Sequence, residues 1–288
     1  MQYGGQAVIE GVMMRGPHRL AVAVRRPAGD ILVESRPFES WTAHHSLFRW
    51  PFFRGVAALI ESLVLGIRYL SFSANLALEE EEEQLSPRDL VLTVALALLG
   101  ATALFILLPA AAALLTHRVL PLYGQNILEG ALRLVLFLAY VAAISRIKEI
   151  QRVFQYHGAE HKVINALEAG EELTLEKVRK HSTLHPRCGT SFLLLVMVLT
   201  IVFFSLLGRG SLLWRLSSRV VLLPLVAGAA YEIMKFASRH LDSPLVRLVV
   251  APGLWLQKLT TREPDDGMLE VALKALCAAR GEGPEEVR

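Results

Sequence analysis

Two histidines four residues apart, His157 and His161, enclose Glu160 in the order H-x-x-E-H. On a helix, residues at this spacing project from one face, one turn above the other. The pair can present two imidazole nitrogens to one metal ion, and Glu160 beside them is placed to act as a general base. The order is that of an inverted zincin motif. Residues 157–188 hold four of the chain's nine histidines and one of its two cysteines. Zinc takes several deprotonated N, S or O donors at about 2.0–2.3 Å, so a third ligand is required, and His185 or Cys188 is the nearest candidate. Pro186 forces an extended turn there, and Gly189 lets the backbone bend onward. The bland alternative is a polar cap of hydrogen-bonded side chains on a helix at a membrane surface. Gly158, inside the motif, lowers helix propensity by about 1 kcal/mol, which argues for strain or close packing at that point.

The elements that must position these groups are apolar. The chain has 288 residues, 53% hydrophobic and 20% charged, with a mean hydropathy of +0.42. The apolar residues are clustered: 90–115 and 190–208 carry no charge, and each is long enough to cross a hydrocarbon core of about 30 Å as a helix. Further spans are expected at 127–147 and 219–237. The predicted fold is therefore mainly α: a polytopic helical membrane protein with about four transmembrane helices. A small cytoplasmic N-terminal β region occupies 1–45, a membrane domain 46–240, and a cytoplasmic surface segment with a C-terminal amphipathic helix 241–288.

Within the β region, Leu20–Arg25 and Asp30–Glu34 are strand-like runs around a Pro27-Ala-Gly29 turn. The glycines flanking 6–15 suit backbone in close approach to something. In the apolar run 51–78, Arg54, Glu61 and Arg68 recur every seven residues on one stripe, which predicts an interfacial or re-entrant helix in preference to a fifth full span. Glu79–Glu83 reads as a solvated linker. Pro244–Thr260, broken by Pro252-Gly253, reads as a surface segment anchored by Trp255, and Met268–Ala279 as an amphipathic helix. Glu129 with Arg133, and Glu232 with Lys235, are spaced to neutralise each other within the spans; the alternative is a polar pathway or groove lined by Glu232 with Arg54, Glu61 or Arg68.

Lysine and arginine set the orientation. With four spans, 25 lie on the side of the termini and of the His-rich loop 148–189, against four on the other. Both termini and the candidate site are thus expected in the cytoplasm, in a multi-pass protein of the inner (plasma) membrane. No secretory signal is visible at the N-terminus. Two cysteines, Cys188 and Cys277, make no disulfide framework. The formal net charge of +3 and the lack of a basic patch interleaved with aromatics argue against a nucleic-acid partner. The lipid bilayer is the expected partner, with self-association left open.

At several stretches the chain resembles the YqhQ-like family of bacterial membrane proteins, a domain of unknown function labelled as predicted metal-dependent enzymes. They are Gly4–Arg15, Tyr156-His-Gly-Ala-Glu-His-Lys162, His185-Pro-Arg-Cys-Gly-Thr-Ser-Phe192, Leu223–Gly228 with Tyr231-Glu232, and Thr260–Asp266. The resemblance implies roles for His157, Glu160, His161, His185 and Cys188. His181 falls where the family pattern does not call for histidine, whereas Glu10 and Arg15 match its N-terminal motif. Three functions follow as alternatives: a metal-dependent hydrolase carrying zinc or a related divalent ion, a non-enzymatic scaffold with a structural metal or polar cluster, and a transporter using the intramembrane charges.

Overall fold

The computed structural model describes residues 3–41, 46–78, 86–206 and 212–283. The acidic run Glu79–Glu83 and Arg209 lie outside them.

Four antiparallel strands, β1 (Gly4–Val8), β2 (Gly11–Arg15), β3 (Arg19–Arg25) and β4 (Ile31–Pro37), form a meander in sequence order. The pairings run Gly4↔Arg15 to Val8↔Gly11, Gly11↔Val24 to Arg15↔Leu20, and Arg19↔Pro37 to Arg25↔Ile31. Gly29, at φ 91°, supplies the left-handed residue of the expected β3–β4 turn. Strand period places Val12, Met14, Ala21 and Ala23 on one face and Val8, Met13, Leu20, Val22 and Val24 on the other. Both faces are buried, so the sheet is a middle layer.

One face meets α5 (Lys148–Glu168) and α10 (Asp266–Arg280) through Tyr156, Ala159, Val163, Leu269 and Leu276. The other meets α1 (Phe53–Leu76) through Leu65 and Tyr69. The expected amphipathic helix after Asp265 is present, with Asp265 accepting from Met268 N at its N-cap. It is buried on nearly every side rather than on one face only, because strands cover one flank and α5 with α6 (Leu175–Arg179) the other. A helix apolar all round belongs in a core.

The chain is mainly helical, and among the described residues four helices are long and apolar enough to cross a membrane by length and composition: 53–76, 88–115, 122–144 and 217–237. They comprise α1, the rod formed by α2 (Pro87–Thr102), a π turn (Ala103–Leu107) and α3 (Leu108–Leu115), then α4 (Leu122–Ile144) and the apolar part of α8 (Leu212–Ala237). The run expected to span over 190–208 is a shorter apolar helix, α7 (Gly189–Ser205), of 17 residues.

Pro252 does not break the following segment: α9 (Pro244–Thr260) runs through it. The carbonyl that loses its donor there is that of Leu248, whose side chain is on an exposed face. The charges also pair differently from the spacing argument. Glu129 does bond Arg133, but Arg219 of α8 joins them from the interior rather than lying in an external loop. Glu232 is held by Arg54 of α1 instead of Lys235.

Candidate metal centre

The polar stretch between α4 and α7 begins with the 21-residue helix α5, which sets His157 and His161 one turn apart with ring centroids 4.4 Å from each other. Each ring is oriented by a backbone carbonyl. His157 Nδ1 donates to Thr260 O at 2.8 Å and His161 Nδ1 to Thr183 O at 2.6 Å. Thr260 ends α9, where a helix leaves its last carbonyls without internal partners, so its oxygen is available. Donation from Nδ1 fixes the ring orientation and turns each Nε2 into the group, so that an Nε2 relieved of its proton would offer its lone pair to a metal.

Cys188 completes the group as the N-cap residue of α7. Its Sγ lies 3.3 Å from His157 Nε2 and 3.2 Å from Thr190 Oγ1. One donor atom from each of His157, His161 and Cys188 falls within 4.8 Å of the others. On a tetrahedral ion, bonds of about 2.0–2.3 Å place neighbouring donors about 3.3–3.8 Å apart, so side-chain shifts of about 1 Å close the set. Two imidazoles and a thiolate are donors that suit zinc.

The electrostatics favour separated charge. Burial opposes the His157 imidazolium, but the Cys188 sulfur, Glu160 and the Thr260 carbonyl outweigh it and raise its pKa to about 9. Burial likewise works against His161, whose pKa is nonetheless raised by Cys188 and Glu160. Burial also opposes the Cys188 thiolate, yet the two histidines hold it well below the usual thiol range. The positive N-terminus of α7 and the negative C-terminus of α9 act in the same sense.

Glu160 is buried at 6% exposure, and its Oε2 is 3.5 Å from His161 Nε2. Strand β1 covers it: a Cβ on Gly5 would fall 2.8 Å from Glu160 Cγ and 2.7 Å from Met13 O, so glycine is required for this approach. Glu10, at φ 52°, anchors the β1–β2 turn to α5 by accepting from Arg152 Nε and Nη2, each at 2.5 Å, and from Tyr156 OH at 3.3 Å. Arg15 instead reaches Glu61 of α1 at 2.8 Å. Strand β1 of the glycine-rich N-terminal region therefore lies against Glu160, with Glu10 tying the β1–β2 turn to α5 and Arg15 tying the sheet to α1.

Of the expected ligands, His157, His161 and Cys188 are brought together, and His185 is not. The His185 ring sits 5.7 Å from that of His161, but its Nε2 turns to Glu168 at 3.3 Å, which Arg187 also holds. His181 bonds Glu171 at 3.3 Å, away from the group. Gln257, wholly buried, was not singled out in the sequence. It accepts from His185 N, donates to His185 O and bonds Ser191 Oγ, each at 2.8 Å, and so fixes the turn that presents Cys188. An amide on the apolar run of α9 was the available signal. The carbonyls of Thr183 and Thr260 had none, since every residue carries one.

The architecture and this group of donors define a helical protein of membrane type with a candidate centre beside its spans. A family model described as "Protein of unknown function (DUF1385)" matches residues 50–282, and the chain belongs to that family. It is similar, at 38% identity over 287 residues, to "Uncharacterized protein YqhQ" of Bacillus subtilis (strain 168), the match covering 95% of this chain and 90% of that protein. No solved structure matches.

Proposed function

We propose that this chain is a metal-dependent enzyme of hydrolase type, with its centre at the cytoplasmic surface of the inner membrane. The observation that carries the reading is the convergence of His157, His161 and Cys188 beside Glu160, with both Nδ1 atoms engaged by carbonyls. When bound, a divalent ion, zinc by this donor set, supplies Lewis-acid activation of water and of an electrophilic oxygen. Glu160 takes a proton from the attacking water and returns it to the leaving group. Thr183 and Thr260 keep the histidines aimed, and β1 limits access of bulk water to Glu160. Held by these three donors alone, a zinc ion would keep a fourth position for water, as catalytic rather than closed structural centres do.

A structural clip in a scaffold protein would close that fourth position with His185 or Glu160. A transporter would need a polar path, yet both carboxylate oxygens of Glu129 are directed at arginines. A different reading is favoured by the 3.3 Å contact of Cys188 with His157 at a helix N-terminus, the arrangement of a cysteine nucleophile and its base.

Calorimetric titration of zinc into chelator-treated protein, in buffers of different ionisation enthalpy, separates these readings. The metal must displace the proton on His157, so binding near neutral pH releases about one proton or more. The raised pKa gives the sign: affinity falls as pH falls below about 9 and levels off above it. For each proton displaced the slope is about tenfold per pH unit. Glu160→Gln is expected to bind zinc like the wild type. Absence of binding would sink the metal reading, and alkylation of Cys188 undiminished by zinc would favour the nucleophile.

A further inference from the structure

Helix α1 has the length and hydropathy of a membrane span, yet what it packs against is incompatible with crossing. Its buried stripe is Gly55, Ala57, Glu61, Leu65, Tyr69 and Ser73. From Glu61 onward every member of that stripe engages the N-terminal region. Glu61, 2% exposed, accepts from Arg15 Nη1 at 2.8 Å, Ser40 Oγ at 2.9 Å and Trp41 N at 2.7 Å. Ser62 O accepts from Gln6 Nε2 at 3.1 Å, and Ser73 Oγ from Ile9 N at 3.0 Å. Leu65 and Tyr69 pack on Val8, Met13, Leu20, Val22 and Val24, and the Arg36 guanidinium lies over the Tyr69 ring.

Thus 61–76, about 24 Å of helix, lies along a sheet whose strands carry Arg19, Arg25, Glu34 and Arg36. Such a sheet, with open edges and charged side chains, has no place in hydrocarbon. The remaining 53–60 measures about 12 Å, too short to cross a core of about 30 Å.

That short end docks on a helix that can cross. Arg54 Nε and Nη2 bond the two oxygens of Glu232. Gly55 and Gly228 allow close approach: a Cβ on either would fall 2.7 Å from Tyr231 Cβ or 2.8 Å from Phe52 Cα. Glu232 lies five residues from the end of α8, at Ala237. The face of α1 turned away from the sheet exposes Phe53, Ile60, Leu63, Val64 and Leu70, at 44–57%, with Trp50 just before the helix at 66%. This apolar stripe starts from the end of α1 that is docked on α8, whose apolar part has the length and hydropathy of a membrane span.

We propose that α1 does not cross the membrane but lies in the interface of the leaflet nearest the sheet, its exposed stripe embedded among lipid chains. It thereby holds the sheet, and α5 on the sheet's other face, against the bilayer. The placement is independent of whether the centre binds metal. The crossing set becomes the α2–α3 rod, α4, α8 and the shorter α7, whose 17 residues measure about 26 Å, at the lower limit for a span; that even number returns both termini to one side.

Phe53→Cys, Ile60→Cys, Leu63→Cys and Leu70→Cys, each in the full chain, can be nitroxide-labelled and reconstituted into phosphatidylethanolamine–phosphatidylglycerol vesicles. The native cysteines are both buried, and unsubstituted protein gives the labelling background. Power saturation against oxygen and a nickel chelate then reads depth. An interfacial α1 gives one shallow lipid depth at all four positions. A crossing α1 gives depths that change by about 1.5 Å per residue, about 15 Å from Ile60 to Leu70, and would overturn the proposal. Water-like or protein-shielded signals at all four sites would overturn it as well, since the stripe would then face solvent or another chain.

Discussion

Gly158→Ala is expected to lower zinc affinity ten- to a hundredfold while destabilising the fold by about 1–2 kcal/mol. In isolation the change strengthens a helix by about 1 kcal/mol. Here the added methyl would lie 2.0 Å from the Arg262 carbonyl oxygen and 3.3 Å from Thr183 Cγ2. Overpacking of this kind costs about 1–3 kcal/mol or more, and a backbone atom cannot swing aside as a side chain can. Neither can α5 retreat, because Ala159 is fully buried against the sheet. Arg262 N is also tied to Phe154 O at 2.9 Å. The strain must therefore move the chain segments that carry the Thr260 and Thr183 carbonyls, which orient His157 and His161. Loss of such outer partners lowers metal affinity by about 10–100-fold. Competition titration with a chelating dye and a denaturation curve measure the two effects. Unchanged affinity would show that the carbonyls do not set the ligand geometry.

Glu129→Gln is expected to cost about 3–5 kcal/mol of stability, the penalty for leaving buried charge uncompensated. Glu129, 2% exposed, receives Arg133 Nη2 at 2.9 Å and Arg219 Nη2 on its other oxygen. The network is continued by Arg133 Nε, which donates to Phe105 O at 2.8 Å. That carbonyl is free because Pro109, four residues on, has no N–H to offer, and the helix widens to a π turn at the same place. Both guanidiniums lie over the Phe204 ring, at 5.8 and 5.4 Å. Glutamine keeps the shape and removes the charge both arginines need. Unfolding by added SDS in mixed micelles reads the difference. A loss under about 1 kcal/mol would mean that the arginines find other partners when Glu129 is neutral.

The juxtaposition of His157 and His161 on α5 was legible because helical spacing alone brings i and i+4 together, and Cys188 was one of two candidates for a third donor by nearness in sequence. His185 was equally near and differs in its partner: Glu168 draws its Nε2 away, a competition between side chains that spacing does not express. Gly158 was read as strain or close packing, and Arg262, more than a hundred residues on, is what packs there. The strands around Gly29 were legible from period two and a turn residue. The burial of α10 was not, although its run from Met268 to Ala279 is interrupted only by Glu270 and Lys274, which bond each other at 2.8 Å. Whether α1 crosses or lies flat could not be settled by hydropathy, because the deciding partners, Gln6, Ile9 and Arg15, come from strands whose placement composition does not express.

X-ray absorption at the zinc edge, on protein purified without added metal, tests the central claim most directly. About one zinc per chain is expected, with nitrogen scatterers at about 2.0–2.1 Å and a single sulfur at about 2.3 Å. Cys188→Ser should abolish the sulfur contribution. Protein free of metal, or a metal shell unchanged in Cys188→Ser, would contradict it.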